Sequence, residues 1–168
     1  MHPLDPLTDR FRRWYAYECD AHEKVWASLD SVPPENRQEA EFQQALDLFA
    51  HMLSARELWL HRFGVLPAAP ASLISGGVTR RELQVQIERI ETVWRQYFDR
   101  LDGRELERIF RYRSTEGAAY SNTVEEILAQ LYGHSWYHRG QIASLIKRCG
   151  GTPAATDYVF WCRKRIDD

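Results

Sequence analysis

The sequence is short of the features that define several large classes of protein. It holds no run of about 18 apolar residues, so no transmembrane helix is expected. Its first residues, MHPLDPLTDRFRRW, lack an apolar core of signal-peptide length, and the expected location is the cytoplasm. There are only three cysteines, Cys19, Cys149 and Cys162, and no CxxC motif. An odd count argues against a disulfide framework, and three reduced thiols are expected. No internal repeat, low-complexity segment or domain boundary interrupts the chain, which reads as a single domain over 1–168. The formal net charge is −2, which gives no electrostatic case for non-specific binding of nucleic acid or membranes. HExxH is missing too, so the glutamate base of the zinc proteases has no counterpart beside a histidine pair.

What is present is a histidine pair. Residues 133–141 read GHSWYHRGQ, with His134 and His138 four apart. In a helix, that spacing stacks two imidazoles on one face, where both can reach one metal ion. Val124, Ile127, Leu128, Leu131, Ser135, His138, Ile142, Leu145 and Cys149 recur at spacings of three and four. The pair therefore lies on or beside the stripe that faces a core. Hydrogen-bonded core histidines are the plainer explanation of such a pair. A metal needs at least one further ligand from elsewhere in the chain.

The rest of the chain reads as helices. Residues 1–7, with Pro3 and Pro6, form a lead-in, and Thr8 or Asp9 can cap a first helix. Phe11, Trp14, Tyr15, Glu18, His22, Val25 and Leu29 trace its inner face, and Val32-Pro33-Pro34 ends it. Glu18 and His22 are the unexpected members, which a solvated edge explains most simply. A second helix is expected from about Asn36 to Phe63, with Gly64 and Pro67 as stop signals. It is apolar over well over half its circumference. Phe42, Leu46, Phe49, Leu53 and Leu60 form one side, and Leu48, Met52, Ala55, Leu58 and Trp59 extend it. Such a helix has two buried fronts, one on the domain core and one that can serve a dimer interface.

Residues 65–77 form a Pro/Gly/Ser/Ala-rich connection. Thr79 and Glu82 have the form of a capping box before a third helix, which Asp102-Gly103 ends. Residues 104–121 predict a short hairpin or an extended crossover. Thr123 and Glu126 then open the helix that carries the histidine pair, and Gly150-Gly151 and Pro153 close it. The aromatic tail at Tyr158, Phe160 and Trp161 is expected to pack back. The architecture is all-α, a four-helix bundle.

Two histidines on the second helix compete for the place of third ligand. His61 sits at the C-terminal end, where the helix dipole favours it. His51 lies mid-helix among apolar residues and lacks that explanation, so it is the better choice. Three histidines and an open position match a catalytic site better than a closed structural one. Gln141 shares a face with His134. It can hydrogen-bond a ligand ring, or be a structural amide with no part in the site.

These residues also carry a resemblance. The stretch His134-Ser135-Trp136-Tyr137-His138-Arg139-Gly140-Gln141-Ile142 resembles the HxxxHRGQ signature of the DinB family, part of the DinB-like metalloenzyme superfamily. The segment Ala50 to Trp59 resembles the family's single-histidine element. Thr115-Glu116-Gly117, Thr152-Pro153 and Asp157-Tyr158 are similar to its flanking loop and tail. The resemblance implies a four-helix bundle in up-down-down-up order, often a homodimer. It implies one divalent metal, zinc or nickel, at His51, His134 and His138; three imidazoles do not choose between the two. His22 stands where the family often has Asn, a departure that could place a fourth nitrogen near the site. Relatives in the superfamily are thiol-dependent S-transferases that use mycothiol, bacillithiol or glutathione. A small-molecule substrate, with a low-molecular-weight thiol as cosubstrate, is the implied chemistry. Metal-assisted hydrolysis at the same position is the other enzymatic form. Tyr17, Glu18 and His22 are then candidates for proton transfer. The competing class is a non-catalytic metal-binding stress-response protein. Direct nucleic-acid binding is disfavoured, although Arg108, Arg111 and Arg113 interleave with Phe110 and Tyr112.

Overall fold

The computed structural model describes residues 6–114 and 116–166. Pro3 and Thr115, named above, lie outside the described residues. Four long helices carry the fold: α1 (Pro6–Asp30), α2 (Ala40–Arg62), α3 (Arg80–Arg100) and α5 (Val124–Arg148). A one-turn helix α4 (Gly103–Glu107) and a hairpin of β1 (Ile109–Arg113) and β2 (Ala119–Thr123) lie between α3 and α5. A short α6 (Tyr158–Cys162) follows.

Side-chain pairings give the direction of each helix. Phe11 meets Tyr132, Trp14 meets Trp136 and Glu18 meets Arg139, so α1 and α5 run the same way. Ser54 meets Gln86, Glu57 meets Arg89 and Phe63 meets Trp94, so α2 and α3 are also parallel. His51 meets His138 while Arg56 meets Ser135, so α2 opposes α5. The order is up-down-down-up, as expected. The parallel α2–α3 pair requires the chain to return along the bundle, which the connection after Gly64 provides.

Local chemistry sets the ends. Both expected capping boxes are present, Thr79 with Glu82 and Thr123 with Glu126. α2 and α5 each end in a Schellman arrangement. Gly64 and Gly150, at φ of 79° and 76°, adopt the left-handed conformation it needs. Val65 and Gly151 then bond back to the carbonyls of Leu60 and Ile146.

Several boundaries differ from expectation. α1 already includes Thr8 and Asp9, so neither caps it; Pro6, which suits a first turn, is the first described residue of the helix. α2 begins at Ala40 rather than Asn36. A 3₁₀ turn over Pro34–Asn36 intervenes, and Arg37 donates to the carbonyls of Val32 and Asp30, which holds the corner tight. Asp102-Gly103 does not stop helix formation altogether, because the Asp102 side chain accepts from the Glu105 amide and caps α4. The hairpin is antiparallel, with Ile109 opposite Thr123. Its Phe110 and Tyr112 cover Trp59. In the tail, Tyr158 and Trp161 pack on Tyr17, while Phe160 stays half exposed.

The core is one cluster drawn from all four long helices, with Phe11, Leu53, Trp94 and Leu128 among its buried members. α2 packs on α5 and also on α3, so much of its second apolar front is met within the chain. Among the described residues no helix is long and apolar enough to cross a membrane.

Candidate metal centre

α5 stacks His134 and His138 with ring centroids 4.4 Å apart. The antiparallel α2 brings His51 against both, at centroid separations of 5.0 and 4.9 Å. All three rings are half-buried at the α2–α5 seam. His51 Nε2 lies 3.2 Å from His134 Nε2, and His138 Nε2 lies 3.1 Å from the same atom. Each ring offers one nitrogen to a group whose members lie within 4.8 Å of one another. Among the described residues this is the group of histidine, cysteine and acidic side chains arranged to hold a metal ion.

On His51 and His138 the other ring nitrogen is engaged. His51 Nδ1 is 2.7 Å from the Leu73 carbonyl, which can only accept, so the ring proton sits on Nδ1. His138 Nδ1 is 2.7 Å from Gln141 Oε1, and with the amide oriented this way the same holds. Both rings therefore turn an unprotonated Nε2 inward. His134 can supply a proton to one of its two contacts at most. At least one pair of lone pairs then faces another at about 3 Å unless a cation lies between them. Zinc at about 2.0–2.1 Å from each nitrogen would space tetrahedral ligands about 3.3 Å apart, close to the two separations from His134. The donor set fits a divalent ion.

The electrostatics favour neutral rings. Burial, reinforced by His138 and His51, lowers the His134 pKa to about 4. Burial also lowers His138, partly offset by its bond to Gln141. At neutral pH both rings offer lone pairs and not charges, the form a metal requires.

The first helix departs from expectation. Glu18 and His22 are not on a solvated edge: they are 0% and 2% exposed, and Tyr17 is 2% exposed. His22 Nδ1 is 2.7 Å from Glu91, and its Nε2 is 3.5 Å from Glu18. Burial alone would lower the His22 pKa, but the two carboxylates outweigh it and raise it. With both nitrogens facing acids, His22 is not a member of the histidine group. His61 bonds the Leu66 carbonyl at the end of α2, in keeping with its structural reading.

A family model for the DinB family matches residues 7–166. The chain belongs to the DinB family. It is also similar to Protein DinB of Bacillus subtilis (strain 168), at 22% identity over 164 residues, covering 92% of this chain and 95% of that protein. No solved structure matches.

In this DinB-family chain, a second cluster lies behind the histidines and was not anticipated. Arg56 and Arg139, 2% and 3% exposed, both bind Glu18, at 2.8 and 2.7 Å. Arg56 also donates to Ser135 Oγ at 3.1 Å, and Arg139 to Tyr17 Oη at 2.8 Å. Tyr17 in turn donates to the Thr156 carbonyl. Ser135 adjoins His134, so this network backs the histidine cluster directly. A signal for it exists in the sequence. Arg56 fills the gap between Leu53 and Leu60 in the α2 stripe, and Arg139 sits four residues after Ser135 on that of α5. A charge inside an apolar stripe marks a buried pair when a second stripe carries the opposite charge, here Glu18.

Proposed function

We propose that this chain is a divalent-metal-dependent enzyme whose ion is held by His51, His134 and His138. Its substrate is a small molecule and its cosubstrate a low-molecular-weight thiol. The observation that carries this reading is the convergence of three Nε2 atoms, two with their ring protons held on the far nitrogen. Half-burial of the rings supports an approach from solvent. A bound zinc or nickel ion supplies Lewis acidity, lowering the pKa of a thiol, or of water, at its open position. The protein's part is to fix the rings: Leu73 orients His51 and Gln141 orients His138. Glu18 and Tyr17 are already committed to arginines. We therefore assign them to support of the site, with His22, and not to proton transfer. The reading includes a homodimer that uses the remaining half-buried apolar residues of α2.

The test is direct. Cobalt-substituted protein should change its visible spectrum when a low-molecular-weight thiol is added. Turnover should follow when an electrophile is supplied with that thiol. A shift with no thiol, but turnover of an ester or amide, would replace the transferase form with the hydrolase form. Neither response would leave the non-catalytic metal-binding reading.

A further inference from the structure

The two ring-orienting contacts differ in kind. Gln141 holds His138 from the same helix, three residues away. The Leu73 carbonyl holds His51 from a connection that has left α2 and not yet begun α3. The orientation of His51 therefore depends on what holds that connection in place.

Asp47 does so. It lies one helical turn before His51 on α2, facing the same side. Its Oδ1 accepts from the Val78 amide at 3.0 Å, and its Oδ2 from the Gly77 amide at 3.2 Å. Gln43, one turn earlier again, donates to Asp47 Oδ1 at 2.9 Å and to the Val78 carbonyl at 3.0 Å. Gly77 reaches the carboxylate with φ of 77°, a conformation that side-chain-bearing residues resist. Within the connection, Ser72 Oγ closes a turn on both the amide and the carbonyl of Ile74, which fixes the backbone around Leu73. Gln43, Asp47 and His51 thus form one polar line along α2, with the connection strapped across it.

We propose that Asp47 is a positioning residue for the metal centre. By clamping Gly77 and Val78, it keeps the Leu73 carbonyl on His51 Nδ1 and so keeps Nε2 turned into the site. The inference rests on the metal reading above for its consequence, and on hydrogen-bond geometry alone for its cause. A residue that merely anchored a surface loop would leave the His51 ring unaffected.

The experiment compares wild-type protein with D47A, and with a variant that keeps Asp47 but carries a Gly-Ser insertion between Ser75 and Gly76. The first measurement is the pair of ring ¹⁵N shifts of His51 in metal-free protein at about pH 8, where histidine is neutral. Wild type should show the Nδ1–H tautomer, and both variants a mixture. His138, held by Gln141, should stay unchanged in all three. The second measurement is zinc affinity by chelator competition, expected to fall roughly ten-fold or more in both variants, the usual cost of losing an outer contact. An unchanged His51 tautomer and unchanged zinc affinity in folded D47A would overturn the proposal. Should D47A fail to fold, the insertion variant answers alone, and wild-type behaviour there overturns the lever. If the wild type itself binds no zinc, the metal reading fails, and the tautomer measurement still decides whether Asp47 orients the ring.

Discussion

Glu18 is the residue on which the centre of the bundle turns. It is buried on α1, between Arg56 of α2 and Arg139 of α5, and so links three helices. Burial alone would raise its pKa; the two guanidiniums outweigh that and hold it well below the ordinary value. Removing the charge leaves two arginines buried around a neutral amide. The variant Glu18→Gln should therefore lose about 3–5 kcal/mol, the usual cost of breaking a buried pair from one side. Denaturant unfolding at neutral pH measures that loss. The sign of the pH dependence follows from the depressed pKa. The carboxylate's contribution is complete above the unfolded glutamate value of about 4.3 and is lost as pH falls toward the folded one. The gap between wild type and Glu18→Gln should narrow below about pH 4, and it should also shrink as pH rises above about 6.5, because Glu18 helps to hold the His22 pKa up. A gap that widens as pH falls below about 4 contradicts the assignment.

At the scale of the element, helices declared themselves where capping and periodicity agreed. Thr79 with Glu82 and Thr123 with Glu126 opened α3 and α5 as read, because a capping box is a contact within four residues. A hairpin is one of the two readings of residues 104–121, the other being an extended crossover. The start of α2 was not legible, because Arg37 spends its side chain on carbonyls across the corner. The one-turn α4 hid behind a Gly that reads as a stop. In the site, spacing revealed His134 and His138, and His51 stood out because no local reason explained it. The burial of Arg56, Arg139, Glu18 and His22 was illegible residue by residue. Each is buried only because a partner arrives from another helix, which a single stripe does not show. α2 also carries a prediction. The homodimer proposed above would draw on half-buried Leu48 and Leu58, of which Leu48 also packs against the core. Sedimentation at micromolar concentration should show a dimer, and Leu48→Glu with Leu58→Glu should shift it to monomer. A monomeric wild type contradicts the pairing.

At the scale of the whole molecule, the histidine centre sits where two antiparallel helices meet, backed by a charged network and strapped by a long connection. The up-down-down-up order makes this possible. It sets α2 against α5, and it requires the return segment that delivers Leu73 to His51. Histidine cluster, helix pairing and strap are thus one arrangement. The most direct test is the metal content of purified protein, wild type beside His134→Ala. His134 is the histidine whose Nε2 lies against both others. The expected result is about one divalent ion per wild-type chain and almost none in the variant, with helix content unchanged. A wild type that takes up no zinc or nickel, or a variant that keeps its full complement, would contradict the account.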